Sequence, residues 1–129
     1  MKSFQYISRD MTGPEVIELP QGQLTIFTRS SPVKTSGNED CAAVISIDDE
    51  SSLLIVADGM GGHANGAAAS EYITQLLEDN VSKTKLKDTA LREAVLRSIE
   101  SANYNLLRKV LLHIILQLAT MLFLILVKI

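Results

Sequence analysis

The sequence predicts an α+β fold, with antiparallel strands first and then two helices laid on one face of the sheet. Three observations carry this reading. Strand-length segments occupy residues 23–29, 41–47 and 53–57, the first alternating in polarity and the last β-branched at its centre. From residue 64 the composition turns helical, with Ala69, Ile73, Leu76 and Leu77 on one face. Further on, Leu91, Val95, Ile99, Ala102 and Leu106 recur at three- and four-residue spacing, while Arg92, Glu93, Arg97 and Glu100 fall elsewhere on the surface.

Taken in order, residues 1–19 scatter Lys2, Arg9, Asp10, Glu15 and Glu18 among apolar positions, without the apolar stretch of a signal peptide. Thr12-Gly13-Pro14 and Pro20-Gln21-Gly22 read as turns between short strand-like pieces. Residues 30–37 form a polar loop, and Asp48-Asp49-Glu50-Ser51 a solvated hairpin. Asn80 closes the first helix, residues 83–87 make a basic connection, and Asp88 or Thr89 caps the second helix. Residues 110–127 are then almost wholly apolar. They predict a helical tail just reaching the transmembrane range of about twenty residues, although His113, Gln117 and Thr120 and the lack of boundary Trp or Tyr argue against spanning. The expected division is a domain over 1–109 and a tail over 110–129.

Composition narrows the function. The chain has 129 residues, 47% of them hydrophobic, and a net charge of -3. No basic stripe is visible, so no nucleic-acid partner is expected. The single cysteine, Cys41, excludes an internal disulfide and a cysteine-based zinc cluster, and a reducing, cytoplasmic setting is the default.

The chemistry gathers in residues 53–70, LLIVADGMGGHANGAAAS. Asp58 falls where the apolar strand is expected to end, and Gly59, Gly61 and Gly62 follow, so a small charged ligand can approach closely. Gly59-x-Gly61-x-x-Ala64 has dinucleotide-fingerprint spacing, but Asp58 would aim its charge at the pyrophosphate. The acid expected about twenty residues on falls at Glu78 and Asp79, at the end of a helical pattern. A divalent cation, which takes oxygen ligands, suits Asp58 better. Asn38-Glu39-Asp40, between the strands at 23–29 and 41–47, reads alone as a solvated turn of ordinary turn residues; if those strands neighbour 53–57, Glu39 and Asp40 come to the same sheet edge as Asp58. Three carboxylates there repel one another unless a cation offsets them or a pKa is raised.

Asn38-Glu39-Asp40, an apolar strand, then Val56-Ala57-Asp58-Gly59-Met60-Gly61-Gly62-His63 with Ala69-Ser70 behind it resembles the PPM (type 2C) family of metal-dependent protein serine/threonine phosphatases. Met60 is as in bacterial members. The resemblance covers about residues 23–102 and implies the N-terminal half of a four-layer α/β/β/α sandwich. It implies that Asp58 bridges two Mn2+ or Mg2+ ions and that the Gly59 carbonyl reaches one of them. It further implies that Glu39 supports the metal and that Asp40 orients that shell. A water between the ions would attack the phosphoserine or phosphothreonine of a protein substrate.

Where the family places a phosphate-gripping arginine stands Thr35, and Lys34 beside it offers a point charge without the bidentate fork. Gly66-Ala67 stands where a Glu is common, and His63 is assigned to packing. The later aspartates of the family have no counterpart: after Asp88 the acids are Glu93 and Glu100. The expectation is therefore a truncated phosphatase with a frame-shifted tail, inactive by itself. The alternatives are a non-catalytic interaction module, or a small tail-anchored protein that meets a membrane only through 110–127.

Overall fold

The computed structural model describes residues 1–33, 35, 37–60, 64–83, 88–112 and 119–128. Its elements are β1 (Lys2–Ile7), β2 (Glu15–Leu19), β3 (Gly22–Ile26), β4 (Cys41–Ser46), β5 (Ser51–Met60), α1 (Ala64–Lys83), α2 (Asp88–Leu112) and β6 (Ala119–Lys128). Four strands form one sheet in the order β1-β4-β5-β6, and β2-β3 form a separate hairpin. All pairings are antiparallel.

The sheet is covered on both faces, which is why β4 reads as a continuous apolar run: Cys41 to Ile45 are all buried. Alternation sends Ala43, Ile45, Leu53, Ile55 and Ala57 to one side, where they pack with Ile73, Leu77 and Val81 of α1 and Leu91, Val95 and Ala102 of α2. The helical periodicities in the sequence mark this contact. Each Leu or Ile buried there contributes about 1.5–3 kcal/mol. Ala42 and Val44 face the other way. They meet Tyr6, Met11 and Ile17, with Leu24, Ile26 and Leu54 packed around them. The β2-β3 hairpin thus lies on the face opposite the helices, giving layers of helix, sheet and sheet. This is the α+β arrangement expected, that of the N-terminal part of the sandwich.

Turn chemistry fixes the hairpins. Leu19 pairs with Gly22 across Pro20-Gln21, and Gly22 takes φ +146°, a value that only glycine adopts freely. The β4-β5 connection is the tight, exposed acidic turn expected, with Ile47 N donating to Ser51 O at 3.0 Å.

The elements differ from the sequence reading in four places. β3 stops at Ile26, short of the expected 29, and α1 runs past Asn80 to Lys83. β5 continues through Asp58 and Gly59 to Met60, so Asp58 lies inside the ladder, paired in register with Met121. The largest difference is the tail. α2 crosses the expected boundary to end at Leu112, and 119–128 is a strand, where helix was expected. A uniformly apolar run carries no period to separate the two states, and β5 offers a free edge whose N–H and C=O groups need partners. Phe123, Ile125 and Val127 suit that strand. Among the described residues no helix is long and apolar enough to cross a membrane.

Candidate functional site

The site is built at the end of β4 and β5 by their register. Cys41 pairs with Ala57, so one step further places Asp40 opposite Asp58, and a second places Glu39 opposite Gly59. Ala57 points into the helix-facing core with no exposure. Asp58 therefore projects from the opposite face and is exposed. Asp40, half-buried, shares that face by the same alternation. Two of the three carboxylate positions that the sequence nominated, Asp40 and Asp58, thus come to one edge of one sheet face. Glu39 lies deeper and is 2% exposed.

Gly59 seals the arrangement. A Cβ at this position would lie 2.3 Å from the Glu39 carbonyl oxygen and 2.7 Å from the backbone carbonyl carbon and oxygen of Gly66. The glycine is needed here for space, since β5, the Glu39 backbone and the first turns of α1 meet with no room for a side chain. Ser70, fully buried on α1, reaches the same place. Its Oγ donates to the Glu39 carbonyl at 2.5 Å and approaches the Ala67 carbonyl at 3.0 Å. Cys41 Sγ lies 3.4 Å from that hydroxyl.

The acidic turn is held from its other side by Asn38, 6% exposed. Its amide nitrogen donates to Arg9 O and to Thr28 Oγ1, both at 2.8 Å, and its Oδ1 accepts from Asp40 N at 3.0 Å. Read as a solvated turn, Asn38 and Glu39 would be exposed; both are buried because distant partners take up their polar groups. The segments they bind are themselves tied. Arg9 pairs with Glu15 at 2.6 Å, and Tyr6 Oη donates to the other carboxylate oxygen at 3.0 Å. Burial, and then the bond to Glu15, hold the Tyr6 phenol above its ordinary pKa. Asp10 accepts from Ser30 N at 2.6 Å and Ser30 Oγ at 2.9 Å, which holds its carboxyl below the usual range. A cavity of about 390 Å³ opens beside these ties, between residues 10–12 and 29–32.

Chemically, the edge offers hard oxygen donors, the type that divalent cations such as Mg2+ and Mn2+ take. Asp40 and Asp58 fit one side of such a centre. Among the described residues no group of three His, Cys, Asp or Glu is disposed to hold a metal. Lys34, Gly61, Gly62 and His63, singled out in the sequence, lie outside the described residues.

The sequence that forms this edge has counterparts among known proteins. Residues 30–127 match the family described as Protein phosphatase 2C. The chain belongs to the protein phosphatase 2C family. The match runs through the apolar tail as well as the Asp58 and Glu39 segments. Serine/threonine phosphatase stp of Listeria innocua serovar 6a is 45% identical over 53 residues, which cover 41% of this chain and 21% of that protein. The proteins of the same name from Listeria welshimeri serovar 6b and Listeria monocytogenes serotype 4b are similar to the same extent. The match spans 21% of the length of each of these relatives. No solved structure gives a significant match.

Two residues that the sequence reading undervalued shape this acidic edge. Asn38 read as an ordinary turn former, and its partners Arg9 and Thr28 are too far off in sequence to be foreseen. In the sequence Ser70 stands only as the end of a motif. A lone serine among alanines on a buried helical face is the signal that could have marked it, because a buried hydroxyl there needs an acceptor.

Proposed function

We propose that this chain carries part of the active site of a metal-dependent protein serine/threonine phosphatase. Family membership supports the reaction class, and the observation carrying the residue assignment is that Asp40 and Asp58 share one sheet face beside Gly59. Asp58, exposed and fixed within β5, is the ligand that would bridge two divalent ions, Mn2+ or Mg2+. The Gly59 carbonyl and Asp40 would stand beside it. Glu39, buried against Gly59, would support the site from below through its carboxylate. Lys34 is assigned to the phosphate of the phosphoserine or phosphothreonine substrate. When bound, such ions supply a water of lowered pKa and neutralise the phosphoryl oxygens. The chain's own share is to hold carboxylates at a fixed separation, since phosphoryl transfer asks a protein for positioning and charge. The lone buried thiol of Cys41 suits a reducing, cytoplasmic compartment.

Mn2+ uptake and Mn2+-dependent hydrolysis of an aryl phosphate test this reading. The chain is expected to bind Mn2+ through Asp58 and to turn over little substrate, and Asp58→Ala to abolish uptake. Uptake indifferent to Asp58→Ala would refute the assignment. A second reading, a non-catalytic module that binds a phosphorylated protein, is favoured by the lack of a three-ligand group among the described residues. Phosphopeptide binding that persists in Asp58→Ala without turnover would select it.

A further inference from the structure

We propose that Ser70 is a positioning residue of this acidic edge, acting through the backbone of Glu39. The inference rests on the metal-site reading above and adds to it a residue that binds no ion. Ser70 Oγ is 2.5 Å from the Glu39 carbonyl and 3.0 Å from the Ala67 carbonyl. A hydroxyl has one proton, and the shorter distance assigns it to Glu39. The Ala67 contact is the ordinary back-bond of a helical serine. With the Ser70 proton so placed, Cys41 Sγ, 3.4 Å from Ser70 Oγ, is the donor to that hydroxyl oxygen. A chain of Cys41 thiol, Ser70 hydroxyl and Glu39 carbonyl therefore runs inside the protein, where Ser70 has no exposure and Cys41 2%.

Both ends of that chain belong to the acidic segment, since Glu39 and Cys41 flank Asp40. Ser70 thus ties the Glu39–Asp40 peptide group and the Cys41 side chain, which flank the Asp40 carboxylate, to α1. Without the hydroxyl, the Glu39 carbonyl, buried beside Gly59, would lose its bond from Ser70, a cost it relieves by turning away. The Asp40 carboxylate turns with it, out of line with Asp58. One helical turn further, Thr74 Oγ1 donates to Ser70 O at 2.7 Å and is equally buried. The Thr74 hydroxyl bonds within α1, which makes it the control for a purely structural role.

The test uses the full chain and its S70A, S70T, T74V and D58N variants. Mn2+ uptake is followed by the EPR signal of the free ion, and protection of residues 38–41 by amide hydrogen exchange. S70A is expected to weaken Mn2+ binding by about tenfold, the lower range for an outer-shell partner, with T74V within about twofold of the parent. S70A also speeds exchange at Asp40 and Cys41, T74V does not, and S70T restores both readouts. Equal loss of affinity in S70A and T74V overturns the proposal. So does uptake abolished by D58N and untouched by S70A, an outcome that leaves the metal reading standing. Failure of the parent chain to take up Mn2+ overturns the metal reading instead. Exchange then decides Ser70 by itself, and unchanged protection at 38–41 in S70A overturns its role.

Discussion

Replacing Gly59 with alanine tests the geometry of the site most directly. The added methyl would lie 2.3 Å from one backbone oxygen and 2.7 Å from two further backbone atoms, whereas carbon contacts settle at about 3.5–4.0 Å. The strand and its neighbours must therefore separate by about 1 Å. None of the three atoms belongs to a side chain that could swing aside, so overpacking here should cost at least about 3 kcal/mol. For a domain of this size that lowers Tm by about 10 °C. Thermal unfolding followed by circular dichroism measures it. Gly13→Ala is the comparison, because a Cβ there meets nothing within 4 Å and alanine tends to stabilise such positions slightly. If both variants melt within about 2 °C of the parent, the close approach of β5, Glu39 and α1 is wrong.

Two other outcomes follow from the packing and the titration. Leu77→Ala, at a side chain with no exposure in the helix-sheet core, should cost about 2–5 kcal/mol in urea unfolding, and a smaller loss would mean that the helices do not pack there. The Tyr6 phenol has a folded-state pKa above its ordinary unfolded value, first through burial and then through Glu15. Its contribution is fully present below that unfolded value and is lost as pH rises through the folded one. Stability should therefore fall in alkali above about pH 10, and Tyr6→Phe should flatten that part of the profile.

The parts of the fold legible in the sequence are those where burial imposes a period. Ile73 and Leu77, or Val95 and Ala102, declare their helices because one face is dry. Strands β4 and β5 declare themselves by length and β-branching. The stretch at 119–128 gave no such sign, and its state is decided by the edge of β5, which lies 59 positions away at the Met60–Ala119 pair. The same distinction divides the site. Asp58 and the Glu39-Asp40 pair are visible as charges beside apolar strands. The burial of Asn38 and Glu39 is not, because it is made tolerable by groups on Arg9, Thr28 and Ser70 that only the folded chain brings near. Gly59 was legible as a glycine but not as a spacer, since the atoms that exclude a Cβ come from two other segments.

The pairing of β6 with β5 has a kinetic consequence. β4 and β5 can zip together from their short acidic turn as soon as both are made. The far partner of β5 arrives only after both helices, with Ser51 meeting Lys128 and Met60 meeting Ala119. Closing so long a loop is slow although its entropy grows only logarithmically with length. Until it closes, one side of β5, including the backbone that carries Asp58, is an open template for any other extended chain. The acidic edge is thus completed last, and the interval before completion is when the protein is most exposed to strand exchange with its own copies.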